Sequence, residues 1–418
     1  MYRKTTLDNG VRIITESMPH VRSASIGIWA DVGSAAEGSQ ERGISHLVEH
    51  MLFKGTKRRS ARAIAEEMDG VGGNLNAFTD KETTCYYAKV IDHHVPLAVD
   101  VLSDMFLHST FDPSELAKEQ RVILEEIKMY DDSPDELIHD LFIQTMWSDS
   151  NLGAPTIGFA DTVTALTREN LRDHMRRRYA PNSVVVAAAG HIEHGQIVEL
   201  FGKHFAEFTG ACALPVPENP HTTPATRFRH KESEQAYVVL GTRGLSVCDD
   251  RRYVLSVLDT ILGGGMSSRL FQEIREKRGL VYTVYSFQAA YRGAGLFAVY
   301  AGTSPDNVPQ CVSVVRDQFA QLRDARVADD ELQLAKEHIK GNLTLSLEST
   351  SSRMIRLGRS EFSLGRNLTT EEIEQHIDAV TSEHIQTLAR ELLAEDQVGL
   401  CVLGPVDEAQ IDWNRSAA

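Results

Sequence analysis

Leu116-Ala117-Lys118-Glu119 recurs as Leu334-Ala335-Lys336-Glu337, and Leu52-Phe53 recurs as Leu270-Phe271, both at one offset of 218 residues. Two matches at a shared offset indicate duplicated halves. Duplication restricts the fold more than composition does, because each half must build a core from the same order of elements. Residues 211–229 lie between the copies and read as a linker, with four prolines, polar spacers and no apolar periodicity. The expected organisation is a first domain over 1–210, the linker 211–229 and a second, homologous domain over 230–418. A chain of 418 residues is long enough for two such domains with full cores.

Strands and helices alternate within each half. Ser23 to Val32 and Gln235 to Gly241 read as equivalent strands, each followed by a helix. The later pair, a helix from Thr167 to Tyr179 and a strand from Asn182 to Ala189, has its counterpart in Ser382 to Leu393 and Gln397 to Leu403. Hairpin-like pairs occur as well: Thr5 to Leu7 and Val11 to Ile14 flank an Asn-Gly turn, and Asn74 to Phe78 precedes Thr83 to Ile91. This mixture predicts an α+β fold, two homologous mixed-sheet domains with flanking helices, and not a purely parallel sheet.

The chemistry concentrates at His46-Leu47-Val48-Glu49-His50, inside a stretch from Gly43 to Phe53 that reads as an amphipathic helix. Two histidines four residues apart lie on one helix face, so both imidazoles can reach a single zinc ion, with the Glu49 carboxylate beside them as a base. The H-x-x-E-H order inverts the commoner H-E-x-x-H metalloprotease motif. A third ligand has to come from elsewhere. Asp112-Pro113-Ser114-Glu115 starts another helix, with an N-cap, proline at the first position and a capping-box glutamate. That helix carries Glu119, Glu125 and Glu126. Glu119 and Glu126 share a face and Glu125 is rotated by about 100° from Glu126, so spacing alone does not choose between Glu125 and Glu126. Carried through the motif, the 218-residue offset sets Gly264, Ser267 and Ser268 opposite His46, Glu49 and His50. The second half is therefore expected to hold no metal ligands.

His46-x-x-Glu49-His50 followed by Glu126, inside Glu119-Gln-Arg-Val-Ile-Leu-Glu-Glu126, resembles the inverzincin (M16) family of pitrilysin, insulin-degrading enzyme and mitochondrial processing peptidase, over essentially the whole chain. A chain of two halves resembles most, in type, the bacterial homologues of the catalytic (beta) subunit of the processing peptidase. The resemblance implies that His46, His50 and Glu126 hold one zinc ion, that Glu49 is the general base, and that Glu119 is a carboxylate behind the ligands. It implies that Arg275 and Tyr282, seven apart in the second half, reach the substrate and its developing oxyanion when the halves close as a clam-shell. Asn76, Ala77 and Phe78, within Gly73-Asn-Leu-Asn-Ala-Phe-Thr79, match the edge strand on which the peptide is laid. The segment Gly263-Gly264-Gly265-Met266-Ser267-Ser268 is short, unlike the longer glycine-rich loop of the noncatalytic subunit type, and it fits no phosphate-loop pattern.

The expected function is a zinc metalloendopeptidase that hydrolyses peptides or unfolded segments bound in extended form, paired with itself or with a related subunit. The alternative, from a different class, is a non-catalytic structural or assembly subunit. Such relatives typically lose part of the motif, and here it is intact. A formal charge of −16 disfavours nucleic acid and anionic membranes as partners and favours cationic peptides. The five cysteines, Cys85, Cys212, Cys248, Cys311 and Cys401, are odd in number and free of any C-x-x-C pair, so they read as reduced thiols. The longest apolar run, Val184 to Ala189, is far short of the roughly 20 residues of a spanning helix. No signal peptide is read at the N-terminus, and the expected setting is cytoplasmic.

Overall fold

The structure, a computed structural model, describes residues 2–408. The first half runs through β1 (Tyr2–Thr6), β2 (Arg12–Ser17), β3 (Ser23–Ala30), α1 (Ile44–Leu52), α2 (Ala61–Asp69), β4 (Asn74–Thr79), β5 (Thr84–Ile91), α3 (Val95–His108), α4 (Pro113–Asp131), α5 (Pro134–Met146), α6 (Ala160–Ala165), α7 (Arg168–Arg178), β6 (Val184–Gly190) and α8 (His194–His204). The second half runs through β7 (Thr226–Arg229), β8 (Ala236–Arg243), α9 (Arg252–Gly263), a π-helical turn (Phe271–Glu276), β9 (Val281–Ala290), β10 (Gly295–Thr303), α10 (Val308–Asp324), α11 (Asp329–Ser346), α12 (Thr350–Leu364), α13 (Thr370–Asp378), α14 (Ser382–Leu392) and β11 (Gly399–Leu403). From β2 to β6 every element has its counterpart between β7 and β11, the π-helical turn standing where α2 stands.

Both sheets are mixed. The first has the order β1-β2-β6-β3-β5-β4 with β2 and β6 parallel, and the second has the order β7-β11-β8-β10-β9 with β7 and β11 parallel. Among the described residues β4 pairs only with β5 and forms an edge. The predicted Asn-Gly hairpin is present: β1 and β2 pair antiparallel around Gly10, whose φ of 100° suits glycine. No helix of the described residues is long and apolar enough to cross a membrane, and all five cysteines are free thiols.

Two compact units emerge, and they are not the contiguous stretches 1–210 and 230–418. One comprises residues 2–128, 154–216 and 345–367; the other comprises 129–153, 217–344 and 368–408. The chain passes between them within 211–229, but Thr226–Arg229 forms β7 and is no linker. Helices α5 and α12, which occupy equivalent places in the duplicated order, each belong to the other half's unit.

The physical reason lies in the central strands. β6 reads Val-Val-Val-Ala-Ala-Ala-Gly and is buried at every residue. Val184, Val186 and Ala188 enter the large core with α1 and α3, whereas Val185, Ala187 and Ala189 face the opposite side. A strand apolar on both faces needs cover on both faces. In the first unit α12 supplies the second cover: Met354 and Leu357 pack with Trp29, Cys85, Val185, Ala187 and Ala189. Its ends are pinned by polar bonds. Ser25 Oγ and Thr350 Oγ1 lie 2.9 Å apart, and Lys4 Nζ and Arg12 Nη1 donate to the buried Glu361 carboxylate at 2.7 and 2.9 Å. In the second unit α5 plays this part, Phe142 packing on Gly241 of β8 and Met146 on Gly399 of β11.

One expectation needs correcting. By element order α9 is the counterpart of α1, so the residues opposite His46-x-x-Glu49-His50 lie on α9 and not at Gly264, Ser267 and Ser268, which form the turn after it. The 218-residue offset suits α4 and α11 but not α1 and α9, because the loop from β3 to α1 is longer than the loop from β8 to α9. α9 carries no histidine or glutamate.

The docking of α12 can be checked at Gly358, where a methyl group would overlap the buried Trp29 indole. Alanine normally favours a helix over glycine by about 1 kcal/mol. Here Gly358→Ala is expected to destabilise the protein instead, by about 1–3 kcal/mol, through overpacking, as read from chemical denaturation midpoints.

Candidate metal centre

α1 forms over Ile44–Leu52 because Ile44, Leu47, Val48, Met51 and Leu52 recur at helical spacing and fill the first unit's core. That burial turns His46, Glu49 and His50 to the other face. The helix starts at Gly43, which adopts φ 91° and supplies no capping side chain. The orphan amides are met from a distance: the carboxylate of Glu37, only 3% exposed, accepts from Gly43 N through Oε2 at 2.7 Å and from Ser45 N through Oε1 at 2.8 Å. Burial pushes the Glu37 carboxyl up to about 7, against the two amide bonds, which favour the charged form.

The chain leaving α1 is laced to the chain approaching α4. Thr56 and Ser109 form a β-bridge, Thr110 N donates to Gly55 O at 3.1 Å, and Ser109 Oγ donates to Met51 O at 3.2 Å. Asp112 then caps α4, its Oδ1 accepting from Ser114 N at 2.8 Å. Leu116, Glu119 and Ile123 form the buried side of α4. One turn beyond Ile123 the structure separates the two neighbouring glutamates. Glu125 points outward and binds Lys128 Nζ at 2.7 Å, whereas Glu126 turns to the imidazoles of α1.

Glu126 Oε2 lies 3.9 Å from His46 Nε2 and 3.8 Å from His50 Nε2. Both distances are beyond hydrogen-bond reach, yet the ligand-type atoms of the three residues all lie within 4.8 Å of one another. A tetrahedral zinc ion with bonds of about 2.1 Å would set its ligands about 3.4 Å apart, so a small closure would complete the set. Two imidazoles and a carboxylate also match zinc's preference for nitrogen and oxygen donors, and the three residues fit the ion. His46 is held neutral, as a ligand must be: burial first, and the neighbouring His50 second, lower it to about 3. Burial raises the carboxyls of Glu49 and Glu126.

Behind His50, Glu119 Oε2 lies 3.1 Å from His50 Nδ1, and Lys54 Nζ donates to Glu119 Oε1 at 2.9 Å. A ring nitrogen engaged by a carboxylate fixes the orientation of the imidazole and leaves Nε2 for the metal. On the other side Thr79 Oγ1, at the end of β4, donates to Glu49 Oε2 at 2.6 Å. Thus His46, Glu49, His50, Glu119 and Glu126 are brought together within one unit. Among the described residues no second group of metal-ligating type occurs.

The remaining candidates are placed as follows. Asn76, Ala77 and Phe78 lie on β4, with Ala77 toward the α1 side and Phe78 on the opposite face against Trp29, ring centroids 5.4 Å apart. Arg275 and Tyr282 belong to the second unit. There Arg275 Nη1 donates to Tyr282 O at 2.8 Å and its guanidinium lies 5.0 Å from the ring of Tyr282, a residue that is 76% exposed. Three residues of the centre escaped the sequence reading: Lys54, Thr79 and Glu37. Lys54 follows His50 by four residues, a helical spacing that could have suggested it, and Thr79 alternates with Ala77 on β4. Glu37 carries no such signal, since it reaches α1 from an irregular loop.

The model described as Insulinase (Peptidase family M16) matches residues 12–159, and that described as Peptidase M16 inactive domain matches residues 165–339. The chain is similar to an uncharacterized zinc protease of Bacillus subtilis, 45% identical over 97% of this chain and 98% of that one. Similar proteins named in the same way occur in Streptomyces coelicolor, 43% identical over 98% of this chain and 90% of that one, and in Mycobacterium tuberculosis, 42% identical over 96% and 93%. The fold is similar to a crystal structure of a peptidase M16 inactive domain from Pseudomonas fluorescens, with TM-score 0.90 and 21% identity over 97% of this chain and 98% of that one. It is equally similar to a protease from Helicobacter pylori, TM-score 0.90, 22% identity, 97% and 99% covered.

The buried cap on α1 gives a pH-dependent signature. A carboxyl whose folded pKa is about 7 and whose unfolded value is near 4.5 holds its proton more tightly when folded. The stabilisation by that proton is full below about pH 4.5 and is lost as pH rises through 7. Glu37→Gln cannot titrate. Between pH 5 and 8 the wild type is expected to lose up to about 3 kcal/mol of stability relative to this variant, measured by urea denaturation at each pH.

Proposed function

The chain belongs to the insulinase (M16) family of peptidases, and we propose that it is a zinc-dependent endopeptidase that cleaves peptides or unfolded segments bound in extended form, as a processing peptidase does. One observation carries this reading: Glu126 Oε2 stands 3.9 Å from His46 Nε2 and 3.8 Å from His50 Nε2 without hydrogen-bonding to either, and the ligand-type atoms of all three residues lie within 4.8 Å of one another. In this reading His46, His50 and Glu126 hold the ion. Bound there, zinc supplies Lewis acidity, polarising an oxygen and acidifying water to near neutrality.

The protein's own groups do the rest. Glu49 accepts the proton of the attacking water on its carboxylate and passes it to the leaving amine; its burial favours the protonated form and so suits it to both steps. Glu119, held by Lys54, keeps the His50 ring in place. The edge strand β4 has one side not covered by another strand among the described residues, so an extended peptide can add along Asn76 to Phe78 as a further strand, replacing the bond from Ala77 N to Asn76 Oδ1 at 2.8 Å, with affinity from its backbone and broad side-chain tolerance. Arg275 and Tyr282 are proposed as donors to the substrate oxyanion, the exposed phenol of Tyr282 being available to it. The proposal extends to a cytoplasmic enzyme working as a pair, with itself or with a related subunit. The chain's charge of −16 supports a preference for basic peptides.

The test is hydrolysis of an internally quenched, extended basic peptide by zinc-loaded protein. Wild type is expected to cleave it, and Glu49→Gln to lose on the order of 10²–10⁴-fold in rate while keeping its zinc. His46→Ala and Glu126→Ala are expected to lose zinc itself, measured by metal analysis after dialysis. Zinc retained in both variants would overturn the ligand assignment, and cleavage retained in Glu49→Gln would overturn the base. A basic peptide is expected to be cleaved faster than its acidic variant at low salt, the difference shrinking as salt is raised.

A further inference from the structure

The bond from Thr79 to Glu49 ties the substrate strand to the base. Thr79 is the last residue of β4 and shares a face with Leu75 and Ala77, which pack against the same core as α1. A threonine hydroxyl has one proton to donate. Its neighbours decide where that proton goes. Thr84 Oγ1 lies 3.4 Å away and spends its own proton on Val32 O at 2.9 Å, whereas Glu49 Oε2 lies at 2.6 Å. The short bond to an anionic oxygen takes the Thr79 proton. Among the described residues Glu49 Oε1 accepts no hydrogen bond, so the two carboxylate oxygens are inequivalent.

We propose that Thr79 is the positioning residue of the general base: its hydroxyl anchors Glu49 through Oε2 and leaves Oε1 as the oxygen that receives and returns the proton. The role rests on the peptidase reading above. It has a second consequence, because Thr79 is covalently continuous with Asn76, Ala77 and Phe78. A peptide added along that edge stiffens the strand whose end orients the base, so binding of the extended main chain and alignment of Glu49 occur together. Without the anchor the carboxylate can rotate, and a displacement of about 1 Å at a reacting group costs on the order of 100-fold in rate.

The experiment compares Thr79→Val, which keeps the shape and removes the donor, with Thr79→Ser, which keeps the donor, and uses Thr79→Ala as a second donor-free variant should valine disturb folding. Steady-state kinetics on the quenched peptide are read with zinc content and melting temperature. Both donor-free variants are expected to lower kcat by about 10–100-fold with KM changed less than about threefold, zinc stoichiometry intact and melting within a few degrees of wild type. Thr79→Ser is expected to recover kcat to within about threefold. Wild-type kcat in Thr79→Val or Thr79→Ala overturns the proposal. So does a loss of kcat in Thr79→Ser equal to theirs, since that marks the methyl group and not the hydroxyl as the feature that matters. An inactive wild type with bound zinc overturns the peptidase reading itself and this role with it.

Discussion

A central strand that is apolar on both faces, β6, sets the terms for everything built on it. In β6 alternate residues enter two separate cores, and none of the strand reaches solvent. One face is closed by helices of the same half, including α1 and α3; the other is closed by a helix drawn from the opposite half of the sequence. Burial of this kind is worth about 25 cal/mol per Å² of apolar surface, so a sheet with one bare apolar face would be poorly stable. The buried Glu361, satisfied by Lys4 and Arg12, fixes where α12 lies, since a carboxylate taken out of water requires its partners.

The candidate metal centre follows from that packing. α1 must turn Ile44, Leu47, Val48 and Met51 inward, and the residues left outward are the two histidines and Glu49. α4 is brought alongside by the paired segments 55–56 and 109–110, which place Glu126 opposite both imidazoles and Glu119 behind one of them. The ionisable groups are therefore partly or wholly buried, each held by a neighbour: Glu119 by Lys54, His50 by Glu119 and Glu49 by the Thr79 hydroxyl. Burial depresses the His46 imidazole and raises the carboxyls of Glu49 and Glu126, which suits neutral nitrogen ligands and a base able to carry a proton.

The sequence and the structure agree most closely where chemistry is local. A spacing of four residues is enough to set His46 and His50 on one face, and the Asp112-Pro113 start is enough to begin α4. They part where the decision is long-range. Glu125 and Glu126 are adjacent and chemically identical, and only the rotation of α4 against α1 turns one to the imidazoles and the other to Lys128. Glu37 lies in an irregular loop, and nothing in its neighbours signals that it caps a helix six residues on. The duplicated order of elements was legible from two short matches, but the offset drawn from them misplaced the counterpart of α1, because loops differ in length between the halves while strands and helices keep their order.

The residues alone determined an α+β chain of two related halves, a helix with two imidazoles and a carboxylate on one face, and a second helix with candidate glutamates. These follow from periodicities of two and 3.6 residues and from capping chemistry, which act over a few neighbours. Tertiary structure decided which glutamate faces the imidazoles, that α5 and α12 pack with the opposite half, and that Thr79, Lys54 and Glu37 join the centre. Those outcomes depend on closing both apolar faces of each sheet at once and on satisfying every buried charge, conditions that no local stretch of sequence can express.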